Sequence, residues 1–72
     1  MMANDIKRQF GERVRKLRKQ RDWMLVELSV ETGLGRVFLS NLENGKHEPK
    51  LGTVKKLANA FGLTISQLMR GI

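Results

Sequence analysis

The side chains able to do chemistry in this sequence are mostly cationic. Fourteen Lys and Arg residues stand against seven Asp and Glu in 72 residues, a net charge of +7. Cysteine is absent, so no disulfide staples the chain and no thiolate holds a metal. His47 is the only histidine. A lone histidine can act as a pH switch, but here it reads more simply as a solvated loop residue or a neutral phosphate contact. The sequence offers no Ser/His/Asp set, paired-carboxylate pocket, phosphate-cradling glycine loop or metal-ligand cluster. Catalysis has little to work with, and no enzyme activity, metal or cofactor is expected. A small basic domain instead attracts polyanions: nucleic acid, an acidic membrane surface or an acidic partner protein.

Those charges need elements to position them. No apolar run approaches the ~20 residues that span a bilayer, and the first five residues lack the basic-then-apolar shape of a signal peptide. The missing cysteines suit a reducing cytoplasm. One domain, 1–72, is expected, and a chain this short buries only about 60% of its unfolded surface. From Asn4 or Asp5, either a candidate N-cap, to Arg21, the apolar residues Ile6, Phe10, Val14 and Leu17 form one helical stripe. The other faces carry Lys7, Arg8, Arg13, Arg15, Lys16, Arg18, Lys19 and Arg21, read mostly as a solvated face. Gly11 lies inside this helix at a cost relative to alanine, so it is assigned to close packing.

Two short helices follow, Leu25 to Thr32 and Gly35 to Asn44, around a turn at Gly33-Leu34. After a loop from Gly45 to Lys50, a fourth helix spans Leu51 to Phe61, with Leu51, Val54, Leu57, Ala58 and Phe61 on one stripe. Gly62 suits the position just past a helix end. Thr64-Ile65-Ser66-Gln67 spells a capping box for a last short helix. The expected fold is all-α, a compact five-helix bundle without a sheet. Within it, Leu28, Leu34, Leu39 and Leu42 point inward. Small Ser29 lets the next helix cross closely, and Gly33 supplies the turn. That is the register of a helix-turn-helix at about 25–44.

The chain resembles the Cro/C1-type helix-turn-helix family: phage repressor domains, small bacterial regulators and restriction–modification controller proteins. The resemblance runs from about Phe10 to Met69. It is carried by Val14-x-x-Leu17-Arg18, Leu28-Ser29, Gly33-Leu34, Leu39-Ser40, Leu42-Glu43-Asn44-Gly45-Lys46, Pro49, Leu57-Ala58, Phe61-Gly62 and Leu68. It implies a lambda-repressor-like fold whose third helix, about 35–44, enters the major groove of double-stranded DNA. By that resemblance Gly35, Arg36, Val37, Ser40 and Asn41 face base edges. Arg36 can pair bidentately with guanine, while Val37 offers only a methyl contact, best suited to thymine. Asn44, Lys46, His47 and Lys50 hold the sugar–phosphate backbone, which positions without reading sequence. The resemblance also implies a structural ion pair between Arg18 and Glu43. Leu63, Met69 and Ile72 have little of their own chain to cover them, and the resemblance implies that they form a homodimer interface matched to a two-fold symmetric operator.

The sequence departs from the family at informative places. A Ser or Thr usually caps the second helix, but Met24 stands there, with Asp22 as the substitute cap. Relatives carry a DNA-gripping Gln where this chain has Leu25. A small polar residue usually precedes the fourth helix, where Lys50 and then Gly52 occur here. The apolar residues Met24, Leu25, Val26, Val37 and Phe38 keep open an alternative: a protein-interaction module, such as an antitoxin or adaptor, on the same fold. Phe38 and Trp23 are read as core. The chain stops soon after the fifth helix, so no ligand-sensing domain and no small-molecule ligand are expected. The resemblance implies a cytoplasmic, bacterial or phage-encoded repressor or activator associated with the nucleoid.

Overall fold

A computed structural model describes residues 2–72, with side chains from Ile6 onward. Five helices follow in order: α1 (Met2–Gln20), α2 (Leu25–Thr32), α3 (Arg36–Glu43), α4 (Leu51–Phe61) and α5 (Ile65–Leu68). The described residues contain no strand, and no helix among them is long and apolar enough to cross a membrane. Helix α1 lies against α3 and α4, α2 crosses α3 and α4, and α5 packs on α4. The apolar stripes converge in one core of Phe10, Val14, Leu17, Leu28, Leu39, Leu42, Val54, Leu57, Ala58, Phe61 and Leu68. Burying each Leu or Phe stabilises by about 1.5–3 kcal/mol before entropy is set against it.

Two stripes outrun that core. Ile6 is 40% exposed and Leu51 75% exposed, although both continue an apolar face. Each sits one turn before the first core residue of its helix, Phe10 and Val54. The start of α1 also differs from expectation: it begins at Met2, ahead of Asn4 and Asp5, whose side chains lie outside the described ones.

The remaining ends follow local chemistry. Thr64 Oγ1 accepts the Gln67 N–H at 3.0 Å and Gln67 Oε1 accepts the Thr64 N–H at 2.9 Å, which completes the capping box of α5. At α2, Met24 takes the N-cap position, and the Glu27 carboxylate accepts its backbone N–H. Asp22 does not cap: it turns the chain after α1 with φ 56°. Trp23 is half-buried and stacks on Phe61, ring centres 5.8 Å apart.

Gly11 explains how α1 meets α3. A Cβ there would lie 2.4 Å from the Leu42 carbonyl oxygen and 2.7 Å from that of Glu43. Only a hydrogen lets the two backbones approach this closely, so Gly11 fixes the seat of the end of α3.

Candidate nucleic-acid interface

Helix α3 is divided lengthwise. Leu39, Leu42 and Glu43 are buried, while Gly35, Arg36 and Val37 are exposed and Ser40 and Asn41 half-buried. Gly35 takes the N-cap position with no side-chain cap. The exposed side of the first turn therefore presents a guanidinium, two methyl groups and, one turn on, a hydroxyl and a carboxamide.

The turn before α3 is locked by hydroxyls as well as by glycine. Gly33 has φ 76°, and its N–H reaches the Ser29 carbonyl at 2.8 Å. Thr32 Oγ1 donates to the Leu28 carbonyl at 2.7 Å and accepts the Leu34 N–H at 3.1 Å. Ser29 Oγ donates to the Leu34 carbonyl. Sequence reasoning valued Ser29 for its size alone and passed over Thr32. The available signal was a hydroxyl two residues before Leu34, the spacing of a side-chain-closed turn.

The far end of α3 is tied to α1 by charge. Arg18 Nε donates to Glu43 Oε2 at 2.7 Å, Nη2 to Oε1 at 3.0 Å, and Nη1 to the Trp23 carbonyl at 2.8 Å. Both side chains are nearly buried. The hydrogen bonds to Glu43, aided by its charge and opposed by burial, hold the Arg18 guanidinium above the ordinary arginine range. One guanidinium thus joins α1, the α1–α2 turn and α3.

Two further arginines, Arg13 of α1 and Arg21 just past its end, leave the solvated face assigned to them. Arg13 donates to the carbonyls of Leu68 and Gln67 at 2.9 and 2.8 Å, and Arg21 to the carbonyl of Phe61 at 2.7 Å. Each binds carbonyls at a helix end, where a cation also meets the negative end of the helix dipole. Arg21 in addition lies 4.8 Å above the Phe61 ring. The sequence carried no signal for these long-range partners.

Past α3, Asn44 is its exposed C-cap and Lys46 is exposed. His47 is not a plain solvated residue: it is half-buried and stacks on Phe38, ring centres 4.7 Å apart. This contact seats the loop on α3. Lys50 is exposed at the N-cap position of α4. Toward α1 and α2, an open trough of about 840 Å³ runs beside α3, lined by Lys19, Trp23, Met24, Leu25, Val26, Arg36, Val37 and Ser40 among others. At the opposite end, Leu63 and Met69 are half-buried against the molecule's own core, and Ile72 is 37% exposed. The protomer therefore covers more of that end than its sequence suggested. Among the described residues no group of three His, Asp or Glu side chains gathers as a metal site.

Two short helices crossing at a glycine turn, the second with one face free and its ends tied down, define a helix-turn-helix protein. The model of the family described as a helix-turn-helix domain matches residues 11–72, and the chain belongs to that family. The control protein C.MunI of a Mycoplasma species is 36% identical over 70 residues, covering 96% of this chain and 95% of that protein. An uncharacterized HTH-type transcriptional regulator of Mycobacterium tuberculosis is 42% identical over 62 residues, covering 82% of this chain. This chain spans 24% of that regulator's length. The crystal structure of the restriction–modification controller protein C.AhdI from Aeromonas hydrophila superposes with a TM-score of 0.81 at 29% identity, covering 90% of this chain and 97% of that one.

Proposed function

We propose that this protein is a non-enzymatic, sequence-specific DNA-binding transcriptional regulator that acts on bacterial DNA in the cytoplasm. The observation that carries this reading is the division of α3, with Leu39, Leu42 and Glu43 anchored inside and Arg36 and Val37 exposed. A helix so held can enter a major groove as a rigid body, start foremost. In this reading Gly35, Arg36, Val37, Ser40 and Asn41 meet base edges, and Arg36 pairs with guanine O6 and N7. Asn44, Lys46, His47 and Lys50 meet the sugar–phosphate backbone. The net charge of +7 supplies the sequence-independent attraction. Relatives named as transcriptional regulators and control proteins support the same function. The reading extends to a homodimer on a two-fold symmetric operator, as the family resemblance implies.

The test is selection of duplexes from a random pool, followed by titration over a range of salt. The expected result is an enriched motif with two related half-sites that still outcompetes random duplex at moderate salt. Equal affinity for selected and random DNA at every salt concentration would overturn the reading in favour of general polyanion binding.

A further inference from the structure

The trough between the start of α2 and the start of α3 is apolar where the DNA would lie. Of seven large hydrophobic side chains exposed on the described surface, three stand together here: Met24 at 68%, Val26 at 45% and Val37 at 77% exposure. Leu25 and Trp23, half-buried, line the same trough. Lys19 and Arg36 edge it with positive charge, against the single carboxylate of Asp22. Apolar groups clustered on a small domain mark a contact surface. The cationic rim selects an anionic partner, and the partner already assigned to this face is DNA.

A major groove offers one apolar feature to such a surface: the methyl group on C5 of a pyrimidine. Thymine carries it, 5-methylcytosine carries it at the same position, and cytosine and uracil lack it. Val37 has no atom that can hydrogen-bond a base edge, so whatever it contributes must come from contact with carbon. Met24 and Val26, from the neighbouring helix start, extend that carbon surface. Met24 adds an unbranched, adaptable chain.

Resting on the DNA-binding reading above, we infer that Val37, Met24 and Val26 form a pocket for a pyrimidine C5-methyl group, beside a base pair read by Arg36. The ligand is the methyl itself, whether thymine or 5-methylcytosine supplies it. Burying one methyl group corresponds to about a fourfold gain in affinity per half-site.

The experiment uses the duplex enriched by selection. Each thymine is replaced singly by deoxyuridine, which keeps the pairing and removes only the methyl. Each cytosine is separately replaced by 5-methylcytosine. The expected result is a loss of about fourfold at one thymine per half-site, or a comparable gain at one methylated cytosine. The arm that responds identifies the source of the methyl. In Val37→Ser, checked for folding by circular dichroism, the ratio between methylated and unmethylated duplexes falls to about one, and Met24→Ala lowers it in part. Unchanged affinity at every substituted position in a duplex that is otherwise bound specifically overturns the methyl pocket alone. It would leave the trough to an apolar segment of a partner protein. Failure to enrich any duplex overturns both this inference and the DNA-binding reading.

Discussion

Arg18 shows what one side chain can hold. Its guanidinium bonds Glu43 twice and the Trp23 carbonyl once, almost out of water. Replacing it with Met leaves a buried carboxylate and a carbonyl without donors. Arg18→Met and Glu43→Gln are each expected to cost about 3–5 kcal/mol in thermal or urea melts. The double change should cost less than the sum, because the second removal no longer strands a charge. Little or no loss in either single variant would mean the pair adds nothing. The raised arginine value makes its share complete below the ordinary arginine range and lost only as pH rises through the raised value, so it is constant near neutrality. Exposed residues call for a different readout. Arg36→Ala should relax the preference at one base pair per half-site, a G·C pair, without changing the melt. Lys46→Ala should weaken all duplexes alike and shallow the salt slope by about one unit. Unaltered base preferences in Arg36→Ala would place the reading register elsewhere. The pairing of Arg18 with Glu43 was anticipated by resemblance, since no local pattern links positions so far apart. Nothing in the sequence told Arg13 and Arg21, bound to distant carbonyls, from solvated neighbours such as Arg15.

At the scale of elements, periodicity located α1 and α4, whose core residues repeat at helical spacing, and punctuation at Gly33, Gly62 and Thr64 marked the shorter helices. What periodicity could not supply was where a stripe ceases to face anything, hence the exposure of Ile6 and Leu51. That depends on where neighbouring helices end, a long-range property. The contact of α1 with α3 was legible only as a glycine in an unfavourable place, and the structure identifies the groups that crowd it as the Leu42 and Glu43 carbonyls. Two effects compete when Gly11 becomes alanine. Helix propensity favours the change by about 1 kcal/mol. A Cβ pressed 2.4 Å from a backbone oxygen must push α3 away, and overpacking of that kind costs about 1–3 kcal/mol or more. The clash wins, because backbone on both sides cannot swing aside as a side chain can. Gly11→Ala should lower the melting temperature and weaken specific DNA binding more than its stability loss explains, since the displaced element carries the reading face. A variant as stable as the parent and equally specific would show that α3 tolerates the shift.

The whole molecule measures 33 × 24 × 22 Å, about the size that occupies one half-site. Set end to end along the 33 Å axis, two copies have centres about 33 Å apart, close to the roughly 34–36 Å between major-groove faces one turn apart. Pairing through the α5 end was expected from Leu63, Met69 and Ile72, on the argument that little protein remained to cover them. Leu63 and Met69 instead pack half-buried on their own core, and Arg13 ties the carbonyls of Gln67 and Leu68 to α1. This makes the apolar area available there smaller than the sequence implied, but it also makes that end rigid. A rigid end loses little conformational freedom when it docks, which favours a contact of modest area. We therefore predict a homodimer strengthened by DNA, in which the duplex adds its phosphate contacts to a weak protein–protein contact. Sedimentation of the free protein should show a concentration-dependent mixture of monomer and dimer, shifting to two protomers per duplex when a symmetric operator is added. Met69→Lys places a charge at that contact. It should leave the free protein monomeric and reduce cooperative loading of the second half-site, with a modest loss of melting temperature because half-buried Met69 also packs on its own core. One protein per duplex at saturation, on a selected site without symmetry, would defeat the dimer and leave the α5 end as ordinary surface.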